Sequence, residues 1–413
     1  MKKLITSLSV FIMLITNACN DPEHTSGENK ESAIPGPGTF GYDLTFLSKY
    51  DQVVLLTSAD SEAQVIVSPK YQAKVFTSTA ASLSGTSFGW VNYKAFSAPV
   101  DLHMNAYGGE NRLWLGPEGG RFSLYFEPDS KMEFKNWKTP GAIDTAAWNV
   151  TAKTEQSVTL QKDMRLINYS RTELKLTVAR TITILDNQQI FERMGLSADT
   201  AVRGVGYETD NVLTNTGEGE WTDKTGMPCL WLLDMFKPSP ETVIVIPFNN
   251  ADKDSFDLVA TTNYFGSIPP ERLKHTDTTL FFKADGKSRG KLGIKPGHVK
   301  PVAGSYDPAG KILTLIVFDV EPKGRYLNQE WNTSRPSFSG DAMNAYNDGP
   351  LADGSQMGPF YEIESVSPAA FLKPNQSQHH HHSVFHFTGD ETALNKIALK
   401  MLGVSLGNIK QNF

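Results

Sequence analysis

Only two cysteines, Cys19 and Cys229, occur in the 413-residue sequence. If Cys19 is consumed by a modification, no disulfide can form. A domain outside the reducing cytoplasm must then be large enough to be held by its apolar core. No apolar run reaches the ~20 residues that a membrane-spanning helix needs. Net charge is −6 with both signs mixed along the chain, and no basic block or arginine-rich stripe occurs. That composition excludes nucleic acid as an expected partner. Helical periodicity is scarce, and neither an internal repeat nor a linker marks a second domain.

The N-terminus carries an address. Met1-Lys2-Lys3 leads into an apolar stretch, Leu4 to Ile15, and then Leu14-Ile15-Thr16-Asn17-Ala18-Cys19. This ending resembles a bacterial lipobox, with Thr16 where leucine is commoner. Residues 1–18 are therefore expected to be a signal peptide and are set aside from fold reasoning. Cys19 is the expected lipidation site, and its acyl chains would anchor the protein stably to a membrane. The alternative is an ordinary secretory signal cleaved near Ala18. Residues 19–39, rich in Glu, Ser, Gly and Pro, read as a flexible tether. Asn20-Asp21-Pro22-Glu23 resembles the surface-export signals of Bacteroidetes lipoproteins. The expected location is the cell envelope, at the outer membrane and facing the periplasm or the surface.

From Gly41 onward short β-rich runs recur. They include Gln52–Thr57, Ala63–Val67, Arg121–Phe126, Leu174–Leu185, Thr242–Pro247, Lys311–Val320, Phe360–Val366 and His379–Phe387. Leu174 to Ile184 alternates apolar and polar residues, as a half-buried strand requires. The exception is the end, where Asp390 precedes Ala393, Ile397, Ala398, Met401 and Leu402 and Gly403 follows, predicting one helix over about 391–402. Many strands without a boundary predict a single all-β domain over 40–413, a large antiparallel sandwich with a C-terminal helix. The polar stretch 321–358 is expected to form loops on one face.

Three segments hold chemistry-bearing residues. Asn105 to Arg121 surrounds Asn111, Arg112, Trp114 and Glu118 with glycines, which permit close backbone approach to a ligand. An aromatic face beside Arg, Asn and Glu suits a sugar, by stacking and bidentate hydrogen bonds to vicinal hydroxyls. A structural turn cluster is the plainer account. Trp331 to Gly349 adds Trp331, Asn344, Asn347 and Asp348, again either ligand groups or ordinary turn chemistry. In Phe360–Val366, alternation puts Glu362 and Glu364 on one face. Five of the nine histidines fall within 379–386. There, Phe385 and Phe387 are expected to face the core, with His380, His382 and His386 facing outward or into a concave surface. Convergence of these imidazoles with the two carboxylates has two uses. They could ligate Zn²⁺ or a similar divalent metal, or divide general acid and base roles. A solvated polar strand face is the third reading.

Tyr361-Glu-Ile-Glu-Ser-Val-Ser-Pro368, followed by Phe371-Leu-Lys-Pro-Asn-Gln-Ser-Gln378 and a His-rich strand, resembles the end of aldose 1-epimerases. Asn111-Arg112 resembles the Asn-Arg pair that begins their sugar site. Tyr107 to Gly120 and Asn344 to Gly349 look like an uncharacterised family of Bacteroidetes lipoproteins with a galactose-mutarotase-like β-supersandwich. The resemblance implies that fold, with Glu364 as general base and Arg112 as a substrate-positioning group. Mutarotases carry a mid-chain histidine as general acid. The nearest segment here, Asn211 to Gly217, has none, so one of His380, His382 or His386 is the expected substitute. Three functions follow as expectations. One is epimerase-like proton transfer on a sugar or uronate, with Glu362 and the residues above as substrate contacts. Another is glycan binding without chemistry. The third is a metal-dependent lyase or isomerase using His380, His382 and His386. A monomer is expected in each.

Overall fold

The computed structural model describes residues 36–413. The expected signal peptide, the expected lipidation site Cys19 and all but the last residues of the expected tether lie outside the described residues. Among the described residues no helix is long and apolar enough to cross a membrane.

Two large sheets face each other. The larger has ten strands, in spatial order Leu273–His275, Thr279–Lys283, Val243–Pro247, Val302–Asp307, Ile312–Phe318, Ser377–Gly389, Val202–Asn215, Glu173–Leu185, Ser157–Ile167 and Asn149–Lys153. The smaller has six, in the order Ala260–Thr261, Gly290–Ile294, Met343–Asn347, Tyr361–Val366, Cys229–Phe236 and Arg112–Gly116. All pairings within both are antiparallel. The main core fills the space between them, with Leu113, Leu232 and Ile363 from the small sheet meeting Val178, Leu213 and Val384 from the large one. This is a mostly-β sandwich with a C-terminal helix, as the patterning requires.

A second core lies on the outer face of the ten-stranded sheet. The helix Glu391–Leu402 packs Leu394, Ile397, Ala398 and Leu402 there, over Phe385 and Phe387. Its start is fixed by Asp390, whose carboxylate accepts from the backbone N–H groups of Thr392 and Ala393 at 2.9 and 3.1 Å. Gly403, at φ +71°, takes the left-handed conformation that ends it. Each fully buried Leu or Ile contributes roughly 1.5–3 kcal/mol.

Some expectations change. Arg121–Phe126 is not a strand: its residues bury Phe122, Tyr125 and Phe126 on irregular backbone, with Leu124 N–H bonded to Pro117 O at 3.0 Å. Within 321–358, Met343–Asn347 is a strand rather than a loop, pairing with two neighbours at once. A helix at Phe40–Leu47 and a three-stranded sheet of Val54–Thr57, Gln64–Ser68 and Lys74–Thr79 begin the domain, the helix packing Phe40 and Leu47 with Phe76.

Candidate functional site

The six-stranded sheet has two faces of different chemistry. Its outer face carries Arg112 and Trp114 from one edge strand, Trp231 from the next, Glu362 and Glu364 from the third, Asn344 and Tyr346 from the fourth, and Lys291 from the fifth. The cross-strand register Arg112↔Leu233, Leu233↔Glu364, Glu364↔Asn344 and Glu362↔Tyr346↔Lys291 places them in rows. Alternation within each strand then sends the intervening Leu113, Leu232, Ile363 and Ala345 into the main core.

Glu364 is fully buried. Lys291 Nζ donates to both of its oxygens, at 3.0 and 2.9 Å, and the Trp231 indole N–H donates to Oε2 at 2.8 Å. Lys291 also lies 4.8 Å from the Trp231 ring centre, a cation–π contact. Glu362 receives the Arg112 Nη2 donor at 2.5 Å. Desolvation, outweighing the pull of that guanidinium and joined by repulsion from Glu364, pushes the Glu362 carboxyl up to about 8. The two carboxyl groups thus sit side by side in contrasting environments. Arg112 Nε is buried and has no partner in the protein.

Aromatic groups wall this face. Trp114 packs edge-on against Trp231 with ring centres 5.6 Å apart. Trp331 stacks on Trp137 at 6.0 Å, and its indole N–H donates to Glu118 at 3.0 Å. Burial holds the Glu118 carboxyl above its ordinary range. Nearby, the ammonium of Lys74 is desolvated and flanked by Arg112, which pulls it down to about 7.

The histidines do not join this set. His380, His382 and His386 face the inner side of the ten-stranded sheet and are buried between the sheets. His382 Nε2 bonds Asp234 at 2.7 Å and Nδ1 bonds Ser365 Oγ at 2.8 Å; His380 Nε2 meets the same hydroxyl at 2.9 Å. These contacts form one continuous chain, Asp234–His382–Ser365–His380, ending at His380 Nδ1, which has no partner. This Asp–His–Ser connectivity also occurs in hydrolases, but all three residues are 0 % exposed and nothing reaches the hydroxyl. His386 bonds Glu110 at 3.1 Å and Thr314 at 2.8 Å and stacks on Phe88. The expected convergence with Glu364 is therefore corrected: Glu364 and Ser365 are successive residues, and only Ser365 points toward the imidazoles. The same holds for the expected metal set: His380 and His382 are buried on Ser365 and Asp234, and His386 on Glu110 and Thr314, so the three do not converge on one open position.

Other expected contacts sort by face. Arg112, Trp114, Glu118, Asn344, Glu362 and Trp331 lie on or over the outer face. Asn111 points inward, donating to Asp234 at 2.5 Å and accepting from Arg180. Asn347 braces a turn, accepting from Gly286 N–H at 2.9 Å and donating to Ser288 O at 2.8 Å. Asp348 accepts from Tyr346 Oη and the Gly358 N–H at 3.0 and 3.2 Å. These bonds occupy both as supports of the loop. Asn211 also faces the interior, donating to His380 O at 3.0 Å, so no mid-chain acid comes from its segment.

Lys291 and Trp231 were not read from the sequence as site residues. A lysine in a run with Lys287, Arg289 and Lys295 looks solvated, and Trp231 lies in a strand that is buried throughout. Asp234 did offer a signal, as the one acid inside Cys229–Phe236.

The fold has relatives among solved structures. A protein from Escherichia coli K12, provisionally described as an aldose 1-epimerase, aligns with TM-score 0.50 at 12% identity, covering 81% of this chain and 98% of its own. A galactose mutarotase-like protein from Lactobacillus casei aligns with TM-score 0.46 at 10% identity, covering 81% and 99%. At such identity the first likeness establishes the galactose-mutarotase-like fold. No curated protein matches by sequence. Residues 38–413 match DUF6786, a family of unknown function, and the chain belongs to that family.

Proposed function

We propose that the outer face of the six-stranded sheet performs epimerase-like proton transfer on a sugar or uronate. The observation that carries this reading is the Glu362–Glu364 pair. Burial raises the Glu362 carboxyl to about 8 against the pull of Arg112, so that it can carry a proton at neutral pH, while Glu364 is held by Lys291 and Trp231. Glu364 is the general base toward the anomeric hydroxyl. Glu362 takes the role of general acid toward the ring oxygen, in place of the histidine that mutarotases use. Arg112 positions the substrate, and Trp331, more exposed than the neighbouring Trp114, supplies a stacking face with it. General acid–base groups of this kind contribute about 10²–10⁴-fold each.

A binding-only role is favoured by a different observation. Glu364 is 0 % exposed and its oxygens already have three donor contacts, as a structural carboxylate would. The proposal extends to location: lipidation of Cys19 tethers a monomeric domain in the cell envelope, where it meets carbohydrate.

Nuclear magnetic resonance of α/β anomer exchange, over a panel of aldoses and uronic acids, separates the two readings. Exchange faster than the spontaneous rate for one sugar class supports the enzyme. Binding seen by tryptophan fluorescence, with no sugar exchanging faster, leaves the binder.

A further inference from the structure

Alternation along Ser377–Gly389 sends His379 and His381 to the opposite face from His380 and His382, onto the outer surface of the ten-stranded sheet. Their side chains are 54% and 58% exposed. Asp210, on the neighbouring strand, stands directly across from His381 in the register. His379 Nδ1 lies 3.0 Å and His381 Nε2 3.4 Å from Asp210 Oδ1, and one ligand atom from each residue lies within 4.8 Å of the others. For bonds of about 2.0–2.1 Å in a tetrahedral set, neighbouring ligand atoms are roughly 3.3 Å apart. Both imidazoles already stand at about that spacing from the Asp210 oxygen, and all three ligand atoms lie within 4.8 Å of one another.

A second relationship gives His381 its orientation. Asp319 Oδ2 accepts from both the backbone N–H and the Nδ1–H of His381, each at 2.8 Å. An ionised carboxylate accepts only, so Nδ1 must carry the proton. That tautomer leaves Nε2 as the ligand atom, aimed at the Asp210 carboxylate 3.4 Å away on the side where His379 Nδ1 also stands. A carboxylate that orients a histidine through its far nitrogen is the usual support for a metal-bound imidazole.

We propose that Asp210, His379 and His381 bind one divalent transition-metal ion of the zinc class, with Asp319 as the positioning residue. In this arrangement His379 binds through Nδ1, His381 through Nε2 and Asp210 through Oδ1. At least one coordination position stays open to water or an external ligand. The site lies across both sheets from Glu364 and is independent of the sugar chemistry proposed above.

The test is calorimetric titration of zinc chloride into full-length, tag-free protein, purified without a metal column and stripped with chelator. One equivalent is expected to bind with a dissociation constant in the micromolar range or below. Affinity should weaken at least tenfold from pH 7.5 to 5.5, as protons compete for the imidazoles. His379→Ala and His381→Ala should each abolish it. Asp319→Asn should keep the stoichiometry and weaken affinity about 10–100-fold. These side chains are exposed, and unchanged melting temperatures without metal would show the variants folded. Absence of saturable one-equivalent binding overturns the site, as does undiminished binding in the His379→Ala/His381→Ala double variant.

Discussion

Glu364 and Ser365 are adjacent in one strand and serve opposite sides of it. Glu364 accepts from Lys291 and Trp231 on the outer face, while Ser365 bonds His380 and His382 between the sheets. The sheet therefore separates a buried charge cluster walled by tryptophans from a hydrogen-bond chain between the sheets. Distinct consequences follow for substitutions on each side.

On the outer face, Lys291→Met should destabilise the protein by about 3–5 kcal/mol, because it leaves the buried Glu364 carboxylate without its counter-ion. Adding Glu364→Gln to that variant should recover much of the loss, since the pair is then removed together. Chemical denaturation of the two single variants and the double variant measures the coupling. Additive losses would contradict the ion pair.

Between the sheets, His380 is held down to about 3 by burial, with the neighbouring His382 adding to the effect. Its folded pKa lies below the unfolded value of about 6.5. The neutral form thus contributes stability present above about pH 6.5 and lost as pH falls toward 3, up to about 5 kcal/mol over that window. His380→Gln should be less stable at pH 7 yet show a flatter dependence of melting temperature on pH between 6.5 and 4. An unchanged slope would remove His380 as the source.

Glu362 works in the other direction. Its pKa of about 8 means that the proposed acid loses its proton as pH rises through 8. Turnover should decline above that pH in the wild type. Glu362→Gln should cut turnover about 10²-fold or more and show no such limb in what remains. Folding stability carries the same sign: the raised pKa stabilises below about 4.5 and that contribution fades as pH climbs toward 8. A pH–rate profile of both proteins reads this directly.

Trp331 reaches farther toward solvent than Trp231 and stacks on Trp137 over the candidate site. Trp331→Ala should weaken sugar binding about tenfold, as loss of one stacking face would, while leaving the melting temperature within a few degrees. Fluorescence titration reports both affinity and the lost indole.

Period-two alternation in Leu174–Ile184 and in Phe360–Val366 made the sheets and the shared face of Glu362 and Glu364 legible, and Asp390 and Gly403 marked the last helix. The small sheet was harder to see. Cys229–Phe236 is buried on both faces and so shows no alternation, and Met343–Asn347 is written in residues that ordinarily make turns. Without those strands, nothing in the sequence told which side of the histidine strand would meet Glu364. Lys291 escaped notice because a lysine declares its burial only through its partner, and that partner is 73 positions away.

The most direct test compares anomer-exchange rates, per folded molecule, of wild type, Glu364→Gln and His382→Gln on a sugar that the wild type turns over. The account predicts a loss of at least about 10²-fold in Glu364→Gln. In His382→Gln it predicts a lowered melting temperature, with a rate within about threefold of wild type below that melt. A Glu364→Gln rate close to wild type, or an equal loss in the folded His382→Gln protein, would contradict it.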